Sequence, residues 1–258
     1  MAIAESVYFT FNGVNSKRYG IINCSMESGL IEEQFYSERS LERKRVKGNE
    51  IPYLQDVVDE PLKLKVTFAF ENPWDDENIR AVARWLRQPY FSEMSFSEEP
   101  NKIYFVMYTG NATLLHNSLK QGVVTLEFEN ISQYIYSPVY MSQQYDISTN
   151  TSAGTDIIYI NEGDVDDTPD IEIVKVGNGD VSIVNYSDEG REFKVVGILN
   201  GETVLIDTEN EEIESSIPNT YRYENVTTEY IKFPRGSNKI KIYGTCKIQF
   251  KSRFKYLK

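Results

Sequence analysis

The chain is poor in the residues that most often carry enzymatic chemistry. It has one histidine, His116, and two cysteines, Cys24 and Cys246, in 258 residues. A Ser-His-Asp or Cys-His relay would have to run through His116. The surrounding "NATLLHNSLK" offers neither nucleophile-elbow glycines nor a group placed to orient a base. His116 therefore reads as a lone polar or loop histidine. Zinc sites of the usual types need several Cys and His ligands, which this chain cannot supply. The cysteines lie far apart with no CxxC spacing, so they read as free, buried or half-buried thiols. Neither GxGxxG nor GxxxxGK(S/T) occurs, and no nucleotide site is indicated.

Long apolar runs are missing too. "MAIAESVYF" lacks the basic start and hydrophobic core of a signal peptide, and no stretch approaches the length of a membrane-spanning helix. The acidic run "NEGDVDDTPD" (161–170) does not fit the DxDxDG spacing of a calcium loop and reads as a polar interstrand loop. The expectation is a protein with no cofactor, no metal, no catalytic set and no membrane insertion.

Acids outnumber bases, 39 to 27, for a net charge of −12. Such a chain repels nucleic-acid backbones, which argues against a sequence-specific nucleic-acid reader. Tyrosine (18) and phenylalanine (13) are plentiful, a composition that leans towards sheets.

Period-two alternation dominates. It puts Val7, Phe9 and Phe11 on one face of an early strand that breaks at Asn12-Gly13, with Lys17 and Arg18 at the surface beyond it. It recurs in 61–70, with Leu62, Leu64, Val66, Phe68 and Phe70 together, and in 102–108 and 122–130. One helix stands out at 72–89: Ile79, Val82, Ala83 and Leu86 follow helical spacing, Asp75 is the N-cap, and Pro89 stops it.

Residues 30–50 carry dense mixed charge and read as a long solvated hairpin or loop, of a length that often serves an interface. The texture turns polar around 131–155, which places a boundary between domains 1–137 and 138–258. Beyond it come eight short strand-like runs, 156–160, 170–176, 180–186, 191–199, 202–207, 229–233, 238–244 and 246–254, with no helical pattern, which argue a β-sandwich. The fold expected is mainly β in two domains: an N-terminal, sandwich-like domain with a long hairpin and one helix, then a C-terminal β-sandwich.

The order of these features resembles a known family. "FTFNGVNSKRYGI" is followed by a charged segment leading into "IPYLQDVVDEPLKLKVTFAF", and "ARWLRQPYFSEMSFSEEPNKIYFVMY" by "GVVTLEFENISQYIYSP". In the second half, "IYINEGDVDDTPDIEIVKVGNG", "TVLIDTEN", "IKFPRGSNKIKIYG" and the closing "FKSRFKYLK" continue the likeness. This order resembles the distal tail protein (Dit) family of siphophages, in the short form without inserted carbohydrate-binding domains. The resemblance implies a hexameric ring formed by the N-terminal domains, with galectin-like or carbohydrate-module-like sandwiches at the periphery. It implies a hub joining the tail tube protein to the tail-associated tip protein, a platform for receptor-binding or other baseplate proteins, and a central channel for DNA. Such a protein would be assembled in the bacterial host cytoplasm and end in the virion tail tip. In a ring of that kind, Arg39, Leu41, Arg43, Arg45, Lys47, Asp56, Asp59 and Glu60 are the candidate oligomer-interface residues, the bases pairing with acids of the next copy. The alternative is a stand-alone carbohydrate-binding sandwich, with Tyr159, Tyr186, Tyr221, Tyr223 and Tyr230 as candidate stacking rings. A glycosidase built on paired carboxylates is a further alternative.

Overall fold

The computed structural model describes residues 3, 5–24, 34, 36–226 and 229–258. They form two compact units, Met1–Tyr136 with Leu257–Lys258, and Ser137–Tyr256. Both are built of antiparallel strands, with a single α-helix among the described residues.

In the first unit the strands run Val14–Asn15, Phe9–Phe11, Ser92–Phe96, Glu99–Tyr108, Gly122–Asn130, Lys63–Phe70 and Ile21–Asn23 across the sheet. Thr113–His116 adds to Gly122–Asn130 through Gly122↔His116 to Thr125↔Thr113. The first two strands make a tight hairpin whose turn residues, Asn12 (φ 49°) and Gly13 (φ 73°), both take the left-handed conformation that a two-residue hairpin needs. Because the Asn23 N–H donates to the Val7 carbonyl at 2.8 Å, the curled sheet brings its two ends together within the first 24 residues.

Phe9 and Phe11 are fully buried, as their alternation predicts, whereas Val7 is half-exposed. The strand begins only at Phe9, so Val7 precedes the ladder and escapes its alternation. The helix spans Asp76–Leu86, with the Asp75 carboxylate accepting from the Asn78 N–H at 2.7 Å. Its interior side drives Trp85 into the core, where the indole stacks on Phe9 (centroids 5.6 Å apart) and on Tyr19 (4.8 Å). The Trp85 Nε1–H donates to the Phe11 carbonyl at 3.0 Å, which ties the helix to the first strand.

The second unit is two sheets around one apolar core. One orders Tyr140–Met141, Cys246–Ser252, Asp170–Lys175, Thr203–Asp207 and Glu212–Ser215, with Tyr145–Ile147 added on Cys246–Ser252. The other orders Thr155–Asn161, Gly236–Tyr243, Gly179–Asn185 and Arg191–Ile198. Alternate residues point inward, so Ile171, Ile173, Ile206, Ile248 and Phe250 of the first meet Tyr159, Ile183, Phe193, Val195 and Ile242 of the second. Gly244, at φ 89°, turns the chain between the last two long strands, where a Cβ would sit 2.2 Å from the Asp180 carbonyl oxygen. Only glycine fits both the angle and the space.

The expected strand at 229–233 is not one. Ile231 and Phe233 are buried, but only Phe233 pairs, in an isolated bridge with Asp167. Alternation there reports burial without a ladder. The strand Glu212–Ser215, with Ile213 as its one buried apolar residue, carries too little pattern to be seen in sequence.

Candidate assembly interface

Residues Arg39–Lys44 and Tyr53–Asp59 form a two-stranded antiparallel sheet that pairs with no other strand among the described residues. Residues 30–33 and 35, at the start of the charged segment read from the sequence, lie outside the described residues. The register runs from Arg39↔Asp59 through Leu41↔Val57 and Glu42↔Asp56 to Arg43↔Leu54 and Lys44↔Tyr53, with a bulge that leaves Gln55 unmatched. Gly48 (φ 92°) lies in the connecting turn, where the Asn49 N–H donates to the Val46 carbonyl at 3.1 Å.

A sheet of two strands has no second layer to hide its apolar side chains. Ile51 is 76% exposed, Tyr53 60% and Leu54 58%, and Leu41, Val46 and Val57 are also exposed. Cross-strand neighbours share a face, so Leu41, Val57 and Leu54 form one apolar patch on one side of the ribbon.

The charges are uneven along its length. Arg43, Lys44, Arg45 and Lys47 outnumber Glu50 at the tip, and Glu38, Asp59 and Glu60 outnumber Arg39 at the base, where the Glu60 N–H donates to the Glu38 carbonyl. One expected intersubunit pair is made at home: the Arg39 Nε lies 2.5 Å from the Asp59 Oδ1 and the Arg39 Nη2 3.0 Å from the Asp59 Oδ2. The two residues are directly opposite in the ladder, which leaves neither needing the next copy. The Arg39 guanidinium hydrogen-bonded to Asp59 holds that carboxyl below its ordinary value. Asp56 faces Glu42 and accepts from the Val57 N–H. Of the eight residues singled out from the sequence, all lie in this hairpin or at its foot. The apolar residues Ile51, Tyr53, Leu54 and Val57 were missed, because in "IPYLQDVVDE" they do not alternate cleanly with the charges.

No group of three or more His, Cys, Asp or Glu side chains among the described residues is arranged to hold a metal ion. His116 lies on an exposed strand, its Nδ1 3.1 Å from the Asn117 carbonyl and its ring edge-on to Trp74. Both cysteines are free, and burial pushes the Cys246 thiol up to about 12. A surface cleft of the second unit, lined by Asp170, Glu172, Asp207, Glu212, Glu214 and Lys251 among others, contains no aromatic ring to stack on a sugar. Among the candidate stacking tyrosines, Tyr159 is buried, Tyr230 is half-buried, and Tyr186, Tyr221 and Tyr223 are exposed.

The acidic run holds one structural residue. Asp167 is buried, and its Oδ2 accepts from the Tyr159 hydroxyl at 2.5 Å and the Ser252 hydroxyl at 2.8 Å. Burial drives its carboxyl above the ordinary 3.8, against those two hydrogen bonds, which favour the ionised form. A folded-state value that is raised gives stability that is present below pH 3.8 and lost as pH rises through the folded value. Asp167→Asn keeps one acceptor oxygen and cannot ionise. Its melting temperature relative to the native protein should therefore climb as pH is raised from 3 to 7. A difference that stays flat over that range would contradict this account.

Residues 4–132 match the family described as "Phage tail protein N-terminal domain", and residues 140–252 match "Phage tail C-terminal domain". The SPbeta prophage-derived protein YomH of Bacillus subtilis (strain 168) is 35% identical over 99% of this chain and 100% of its own length. The crystal structure of the Dit protein of SPP1, described as a paradigm of the hub adsorption apparatus in phages infecting Gram-positive bacteria, superposes with a TM-score of 0.71. It is 16% identical, and the match covers 96% of this chain and 98% of that one.

Proposed function

The chain belongs to the phage tail protein family, and from that premise we propose that it is the ring-forming hub at the distal end of a siphophage tail. Membership of the family makes it a structural component of a bacteriophage tail, and its fold is that of the SPP1 Dit protein. The observation that carries the finer reading is the hairpin Arg39–Asp59, whose apolar and basic side chains are exposed in the single chain. A ring of identical copies needs two different patches on each, one of which meets the other on the next copy. The hairpin supplies one such patch. In this reading the first units close a hexameric ring beneath the tail tube, the tip protein hangs below, and receptor-binding or other baseplate proteins attach outside. Assembly takes place in the host cytoplasm. The net charge of −12 suits a central channel that lets DNA pass without adhering.

Native mass spectrometry of the pure protein, alone and mixed with the tube or the tip protein, tests this. The expected result is a discrete species of six copies, in at least one mixture. A strict monomer with no binding to either partner under every condition would overturn the hub reading. A solved ring whose channel is lined with lysine and arginine would overturn the account of DNA passage alone.

A further inference from the structure

The apolar stripe of the helix Asp76–Leu86 is only partly used. Val82, Leu86 and Trp85 are buried, but Ile79 is half-buried and Ala83 is exposed. Ile79, Val82, Ala83 and Leu86 form one wall of an open groove of about 470 Å³, whose other wall is the sheet. Ile79, Ala83 and Leu86 face Phe70, Val124 and Leu114 across it. Leu114 is 40% exposed at the mouth, on the strand Thr113–His116, all four residues of which are exposed. No residue of the 39–59 hairpin lines this groove, so, among the described residues, the same unit carries an apolar ribbon and an apolar trough that do not cover each other.

We propose that the groove receives the 39–59 hairpin of a second copy of this chain. The inference rests on the hub reading and supplies the patch that the hairpin must meet. Three properties of the two surfaces agree. The first is chemistry, since Leu41, Leu54 and Val57 share one face of the ribbon and the groove walls are aliphatic and aromatic.

The second is length. The helix has 11 residues and so spans about 16 Å, and a hairpin strand of seven residues spans about 23 Å. One limb of the ribbon therefore runs the full groove. The third is charge. The helix beside the groove is acidic at its start, with Asp76 and Glu77 in the first turn, and basic at its end, with Arg84 in the last turn and Arg87 at the groove itself. The hairpin is basic at its tip and acidic at its base. This sets the direction of docking: Arg43, Lys44, Arg45 and Lys47 lie over the helix N-terminus, and Glu60 near Arg87. None of the four tip bases forms an ion pair with a described residue of its own chain. A contact of this kind is head-to-tail, since groove and ribbon are different surfaces, and repeats around a ring.

The test uses the full chain, with the tube or tip protein present if the native chain needs it to associate. Ala83→Arg blocks the groove from an exposed position, and Leu54→Asp charges the ribbon at an exposed site outside the core of the single chain. Each should weaken association at least about tenfold, as truncating or charging a central contact does. Glu77→Lys should weaken it too, and Lys44→Glu added to Glu77→Lys should restore part of the loss. Circular dichroism and melting temperature check that each variant is folded. If Ala83→Arg fails to fold, Leu54→Asp decides the matter. Native-size assemblies of undiminished affinity in folded Leu54→Asp and Ala83→Arg would overturn the docking and leave the hub reading standing. A native chain that is monomeric alone and with both partners would overturn the two together.

Discussion

Truncating Arg222 to alanine should destabilise the C-terminal unit by about 3–5 kcal/mol, the usual cost of leaving a buried charge without its partner. The Glu202 side chain has no exposed surface, and the Arg222 guanidinium meets it with Nη2 2.5 Å from Oε2 and Nε 2.9 Å from Oε1. The Ser215 hydroxyl and the Leu199 N–H donate to the same carboxylate, and the Arg222 Nη1 donates to the Gly197 carbonyl. Burial pushes the Glu202 carboxyl up, but the hydrogen bonds from Arg222, Leu199 and Ser215 outweigh it and leave the value below the ordinary 4.5. With a lowered folded-state value, the carboxylate contributes stability above pH 4.5 that is lost as pH falls through the folded value. Arg222→Ala should therefore lower the urea midpoint most at neutral pH and least in acid. The pair Glu202→Leu with Arg222→Leu should cost far less than Arg222→Ala, since no charge is left stranded. Both tryptophans, Trp74 and Trp85, lie in the first unit, so far-UV circular dichroism lost ahead of any tryptophan signal assigns the damage to the second. A loss under about 1 kcal/mol, the range of an exposed pair, would refute this description of the site.

Trp85→Ala should cost the first unit a similar amount, about 3–5 kcal/mol, for the cavity left by a buried indole. The ring stacks on Phe9 and Tyr19, stands edge-on to Phe11, and its Nε1–H satisfies the Phe11 carbonyl. Trp85→Phe separates the two contributions. It keeps most of the stacking and removes one hydrogen bond to the Phe11 carbonyl, which still pairs in the hairpin with Val14, at about 0.5–1.5 kcal/mol. Thermal melts of the three proteins read the series directly. Equal losses for alanine and phenylalanine would mean that the hydrogen bond, and not the ring, anchors the helix. Because Val82 and Leu86 beside it line the groove, Trp85→Ala should also weaken the proposed association of the chain.

The strands most legible in the sequence are those with one buried face. Lys63–Phe70 and Gly122–Asn130 alternate because Leu64, Val66 and Phe68, or Leu126 and Phe128, enter the core while the residues between them stay nearer solvent. The helix was legible for the same reason at period 3.6, together with its Asp75 cap. The hairpin at 39–59 was legible only as charge. Both of its faces are solvated in the single chain, so no period records which residues matter. Val7 and the 229–233 run show the reverse error, in which alternation is present but the ladder is not. The Asp167 and Glu202 networks left no signal at all, since their partners Ser252 and Arg222 are distant in sequence and no spacing rule joins them.

The exposed hairpin also bears on the life of the chain before assembly. A bare ribbon has two open edges of unpaired backbone N–H and C=O groups, which invite indiscriminate strand pairing at the concentrations of synthesis. Arg43, Lys44, Arg45 and Lys47 crowd the tip of this ribbon with like charge, so two free hairpins repel each other as they approach tip to tip. Like charge at the tip thus opposes the fibre-like pairing that open edges invite.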